Sequence, residues 1–215
     1  MEKYLGCNEE LVPKNLKLAE WKPELSNENP MLESEQIAVR VERFLHSCFW
    51  CAPWAKLLNR KFLIDNEITF PHMKIAEDVI WTFKIICLAE KILRIPSRLY
   101  VNRENSDSMT QRKRTPEQEI IFWTSPLLIG ADCLEQFMSS IELFVQNPAF
   151  RFRVLNYFVS IKLDFMAEAF GKLTLTEVYE TFLHEFSKAG STRSALISYL
   201  LVMNHFYRNE LRSLT

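Results

Sequence analysis

PWAKLLNRKFLIDNEITFPHMKIAEDVIWTFKIICLAEKILRIPSRLYVNRENSDSMT, residues 53–110, decides how the rest of the chain is read. It has five parts in order. A short amphipathic segment spans 56–65, and an extended link ends at Phe70-Pro71. Glu77 and Asp78 then stand at the mouth of an apolar helix carrying Val79, Ile80, Phe83, Ile86 and Cys87. Apolar residues take more than half of its circumference, which predicts a central, buried helix. Two strand-like runs, 92–95 and 99–101, flank Pro96 and read as a hairpin-like pair. The polar loop 102–110 is rich in Asn, Ser and Asp, the residues of turns.

Glu77 and Asp78 admit two readings. Acids in a first helical turn favour the positive end of the helix dipole and need no further reason. A carboxylate held rigidly at such a place is also what a general base requires: ionised, and within hydrogen-bond reach of the proton it takes. The dipole helps keep Asp78 charged, and Glu77 beside it opposes this.

Working outward, the ordered set Trp54, Lys56-Leu57, Phe62-Leu63, Ile68, Phe70-Pro71, Glu77-Asp78, Ala89, Ile92, Ile95-Pro96, Leu99-Tyr100, Arg103 and Ser108-Met109-Thr110 resembles the C-terminal half of the catalytic domain of family 2 glycosyltransferases. Ala55 departs from that pattern, where the family often has Asn. The resemblance implies a GT-A nucleotide-diphospho-sugar transferase fold and inverting transfer of a sugar from a nucleotide-sugar to a glycan or lipid-linked acceptor, as in polysaccharide biosynthesis. It implies Asp78 as the base and Glu77 as a positioning residue. Trp54, Lys56, Arg103, Ser108 and Thr110 become substrate-binding residues, with Arg103 facing phosphate through its forked donors. A divalent cation, Mg²⁺ or Mn²⁺, belongs to the complete enzyme; no metal ligands are assigned in this chain.

The totals narrow the classes. At 215 residues and 48% hydrophobic, the chain can bury a core in one or two domains. A net charge of −1 argues against a nucleic-acid binder. Five scattered cysteines do not read as a disulfide framework and fit a reducing compartment. The N-terminus has no apolar core of the signal-peptide kind, and no apolar run reaches the roughly 18 residues of a membrane span. A cytoplasmic location follows, with the inner membrane face as a peripheral contact. Cys48 and Cys51, beside His46, form an isolated C-x-x-C; without a second pair they read as a buried extended segment rather than a zinc site.

The remainder reads as follows. Residues 1–30 form an extended lead-in with one short strand. Ser34 caps a helix carrying Ile37, Val41 and Phe44, which ends near Ser47. Thr115-Pro116-Glu117-Gln118 is a capping box with Pro at the first helical position, and Asn147-Pro148 repeats the cap-plus-proline start. Val154, Phe158, Ile161 and Phe165 form one face of a helix that stops at Gly171. Further helices are expected near 176–189, stopped by Gly190, and through Leu196, Leu200, Met203 and Tyr207. Phe150, Arg151, Arg153 and Tyr157 form a patch that reads as helix packing, with a membrane surface or a glycan as the other reading.

The fold class expected is α+β, mainly helical, with a small sheet from 48–52, 92–96 and 98–102 and six or seven helices. Residues 1–114 form the transferase-like part and 115–215 a helical region. Residues 1–52 contain no Asp and are too few for a βαβαβ nucleotide-binding half. The expectation is therefore an acceptor-side half, inactive by itself, with an apolar flank that favours a homodimer. The competing expectation is a non-catalytic helical interaction module.

Overall fold

The computed structural model describes residues 5–7, 29–95, 100–103, 108–109 and 112–188. Seven α-helices and four short strands lie among them, so the architecture is mainly helical α+β. The chain divides into two units: Met1–Phe70 with Trp81–Arg112, and Pro71–Ile80 with Lys113–Thr215.

In the first unit, β1 (Leu5–Cys7) pairs in parallel with β4 (Val101–Arg103), and β2 (Met31–Leu32) pairs antiparallel with β3 (Leu93–Arg94). This corrects the expected hairpin. The runs on either side of Pro96 each pair with an upstream segment instead, giving two separate two-stranded sheets. The 48–52 segment is not a strand, because side chains take its carbonyls. Arg94 donates to the Cys48 carbonyl at 2.8 Å, Thr82 to that of Cys51 at 3.1 Å, and Lys56 Nζ to those of Trp50 and Ala52. A strand ladder would need those acceptors.

α1 (Ile37–Leu45) buries Arg40, Val41 and Phe44. Its N-cap is Gln36, not Ser34; the Ser34 hydroxyl accepts from the Gln36 amide one position before the helix. α2 (Arg60–Asp65) starts later than the 56–65 segment, because Asn59 Oδ1 accepts from the Lys61 amide and fixes the N-terminus there. The later turns of α3 (Glu77–Leu88) are the centre of this unit. Phe83 meets Phe44 with centroids 5.2 Å apart, and Trp81 stacks on Phe70 at 4.7 Å. Glu33, 4% exposed, is ion-paired to Arg43 at 3.0 Å and to Arg94 at 2.6 Å. The same side-chain set thus joins the end of β2 to α1 and β3.

In the second unit, α4 (Pro116–Ser139), α6 (Pro148–Phe170) and α7 (Leu175–Lys188) pack around Ile120, Leu127, Leu163, Met166 and Phe182. The α4 capping box forms as read, with Thr115 accepting from the Gln118 amide and Gln118 accepting from that of Thr115. α4 also runs through Pro126. α5 (Glu142–Gln146) was not legible. Pro148 opens α6, but the Asn147 amide group donates back to the Leu143 carbonyl instead of capping forward. Gly171 ends α6 in a right-handed conformation. The buried seam of α6 is Val154, Leu155, Phe158, Val159, Lys162, Leu163, Met166 and Ala169, so the expected face holds at Val154 and Phe158 and turns away from Ile161 and Phe165. Phe165 is 53% exposed, although its ring stacks on Trp123. Lys162 is buried with its ammonium 5.1 Å from the Phe158 ring centroid and 5.7 Å from that of Trp123. Gly190 and the helix expected through Leu196 to Tyr207 lie outside the described residues.

Candidate functional site

Glu77 and Asp78 occupy the first turn of α3, both half-buried. The segment leading into them is anchored within the second unit. Ile75 packs against the α4, α6 and α7 core, and Ala76 is buried at 6% exposure. Lys74 lies over the Phe122 ring at 5.9 Å, and the Arg114 guanidinium lies over the same ring at 3.6 Å. Arg114 is held by Glu119 at 3.1 Å, and Glu119 also accepts from the Trp123 indole at 2.7 Å.

Ala76 has a φ of 68°, in the left-handed region. This conformation costs an L-residue roughly 1–2 kcal/mol. Its carbonyl accepts from the Val79 amide at 3.3 Å. The chain therefore turns sharply just before the acid pair, and the residue that precedes α3 is an alanine rather than a Ser or Asp. Strained backbone of this sort persists only where the surroundings hold it, and it concentrates at functional sites. Here Ile75 on one side and Ile80 on the other supply the hold. Ile80 is fully buried, and its side chain reaches Gly130 of α4 beside the Phe158 ring. The first turn of α3 is thus fixed from both ends.

The pair does not make a cation site alone. Successive helical residues project about 100° apart around the axis, so Glu77 and Asp78 cannot both close on one ion without distortion. Among the described residues, no three His, Cys, Asp or Glu side chains are grouped to hold a metal ion. The chemistry this turn can support is that of a positioned carboxylate, with a second carboxylate next to it.

The other sequence-derived residues belong to the first unit. Trp54 lies in a 3-10 turn, Pro53–Ala55, and stacks on Tyr100 with centroids 5.9 Å apart. Both rings remain exposed, at 47% and 42%. Lys56 uses its ammonium to tie down the Trp50 and Ala52 carbonyls, so its evident work is to fold the 50–56 turn. Ser108 is half-buried. Arg103 is placed by its backbone in β4; its side chain and Thr110 lie outside the described residues.

The sequence reading missed Ala76, whose left-handed backbone leaves no mark in composition or periodicity. It also missed Gly130, where an isolated glycine inside a helical pattern was the available signal. Cys48 and Cys51 are not joined in a disulfide, and each is half-buried. Cys87, on α3, is buried, and that burial pushes its thiol well above the usual range. Among the described residues no helix is long and apolar enough to cross a membrane. No protein-family model, curated protein or solved structure matches the chain.

Proposed function

We propose that this chain is the acceptor-side half of an inverting glycosyltransferase of the GT-A type, with Asp78 as its general base. The observation that carries the reading is the built first turn of α3: an acid pair behind a left-handed Ala76, between the buried Ile75–Ala76 step and the buried Ile80. A surface helix seeking only dipole compensation has no need of a strained, doubly anchored start.

In this reading Asp78 takes the proton of an acceptor hydroxyl. The freed electron pair forms the new bond to the anomeric carbon from the side opposite the leaving group. The bond from that carbon to the diphosphate oxygen breaks, and the nucleoside diphosphate leaves with its electron pair. Glu77 orients the acceptor. Trp54, Arg103, Ser108 and Thr110 contribute to substrate contacts, and Lys56, expected among them, serves by holding the turn that carries Trp54. The nucleoside and the cation are held by polypeptide other than these residues, in keeping with the poor fit of the acid pair to an ion. The setting is cytoplasmic, against the inner membrane face, with a glycan or lipid-linked acceptor.

Two measurements test this. The isolated 215-residue chain, titrated calorimetrically with UDP- and GDP-sugars and Mn²⁺, should show no micromolar binding; metal-dependent micromolar binding would place the donor site within this chain and overturn the division of labour. The chain completed by its donor-binding polypeptide should give a product whose first-formed anomer, read by proton NMR, is inverted. Retention of configuration rules out the single displacement. Absence of any transfer favours the helical interaction module instead.

A further inference from the structure

The first unit carries a half-open cleft of about 610 Å³; of the residues given to sugar transfer, only Lys56 lines it. That volume is in the range of small-molecule sites. Its floor is the later part of α3, through Ile85, Ile86 and Ala89, all nearly inaccessible. Trp50, Leu58 and Phe62 contribute to its walls. Leu57 stands at its mouth with its side chain fully exposed, and Leu93, also lining it, is 62% exposed.

The polar lining is lopsided. Lys56, Lys61, Lys91 and Arg94 face Asp65 and Glu90. Lys61 is paired with Asp65, and Arg94 with the buried Glu33. Lys91 is exposed and makes no ion pair among the described residues. Lys56 spends its ammonium on the Trp50 and Ala52 carbonyls, which leaves Lys91, with the exposed Glu90 beside it, as the cation to meet a ligand.

We propose that this cleft binds an amphiphile: an aliphatic chain of about ten carbons laid along the apolar floor of Ile85, Ile86 and Ala89, with an anionic head group at Lys91. A flat base or sugar suits it less. The Phe49 ring is covered by the Arg94 guanidinium at 5.2 Å, and Phe62 packs against the Ile68, Trp81 and Ile85 cluster. A planar ligand would therefore find no pair of open rings to lie between. A flexible chain fills irregular branched-aliphatic walls without that requirement, and it covers Leu57 and Leu93 as it enters. The head group is a phosphate monoester or a carboxylate, since both present the charge that Lys91 calls for. The proposal stands apart from the role given to Asp78.

The test uses the whole chain and ligands below their micellar concentrations. Octyl and decyl phosphate, decanoate, decanol and inorganic phosphate are titrated by calorimetry, with the tryptophan emission followed in parallel because Trp50 lines the cavity. Decyl phosphate and decanoate should saturate a single site, and the ratio of their affinities tells phosphate from carboxylate as the native head. Each added methylene should tighten binding about fourfold. Lys91→Glu should weaken both anions about fivefold or more and leave decanol unchanged. Leu57→Asp, at an exposed position that folding does not require, should weaken all three decyl ligands. Inorganic phosphate should not bind. Absence of saturable binding, an affinity independent of chain length, decanol binding as tightly as the anions, or anion binding unaffected by Lys91→Glu would each overturn the proposal.

Discussion

Gly130 and Phe158 meet so closely that no side chain on the glycine fits: a β-carbon there would lie 2.3 Å from Phe158 Cζ and 3.1 Å from Ile80 Cδ1. α4, α6 and the first turn of α3 converge at this point. Alanine is the better helix former by about 1 kcal/mol, yet overpacking a filled core costs about 1–3 kcal/mol. Gly130→Ala should therefore destabilise the protein in urea unfolding. Phe158→Leu, added to it, should recover part of the loss, so that the double variant is more stable than the two single effects summed. A Gly130→Ala variant more stable than wild type would mean that the helices do not approach as described.

Ala76 gives the second expectation. Its φ of 68° suits glycine, so Ala76→Gly relieves strain while it loses a buried methyl and adds freedom to the unfolded chain. These terms nearly cancel, and the variant should stay within about 1 kcal/mol of wild type. Ala76→Val forces a β-branched residue into the left-handed region and should cost about 2 kcal/mol or more. Equal stability of the glycine and valine variants would contradict the backbone assigned here.

The start of α7 responds to acid. The Glu177 carboxylate accepts from the Thr174 amide at 2.7 Å and from its hydroxyl at 2.7 Å, while the Thr174 hydroxyl accepts from the Glu177 amide. The amide bond first, and the hydroxyl second, hold this carboxyl below its usual range. A folded-state value below the unfolded one stabilises above the unfolded pKa, and the benefit is lost as pH falls through the folded pKa. NMR titration of Glu177 should therefore give a midpoint below that of an unstructured Glu. Thr174→Ala should raise it part-way, because the backbone donor remains. A normal midpoint in wild type, or no change in the variant, would exclude this cap.

Much of the helical layout was legible because its signals are local. Thr115 and Gln118 form the capping box their spacing specifies, and Glu77 and Asp78 do open a buried helix. The Thr174-x-x-Glu177 cap has the same signature but was not read, and it starts α7 at Leu175, one residue before the expected 176. The strands were not legible, since β1 with β4 and β2 with β3 are pairings across long stretches of chain. Cys48–Cys51 misled because a short apolar run looks strand-like, while Lys56, Thr82 and Arg94 decide where its carbonyls go. At the candidate site, the acids could be read, but the turn that aims them depends on Ile75 and Ile80 finding partners far along the sequence.

Asp78 carries the proposed chemistry. With the donor-binding polypeptide present, release of nucleoside diphosphate from UDP- and GDP-sugars should be measured for wild type and Asp78→Asn, with circular dichroism confirming that both are folded. The substitution keeps shape and removes the proton acceptor, so release should fall by about 10²–10⁴-fold. Equal release by the two proteins, or no release by wild type with any of the donors, would contradict the account.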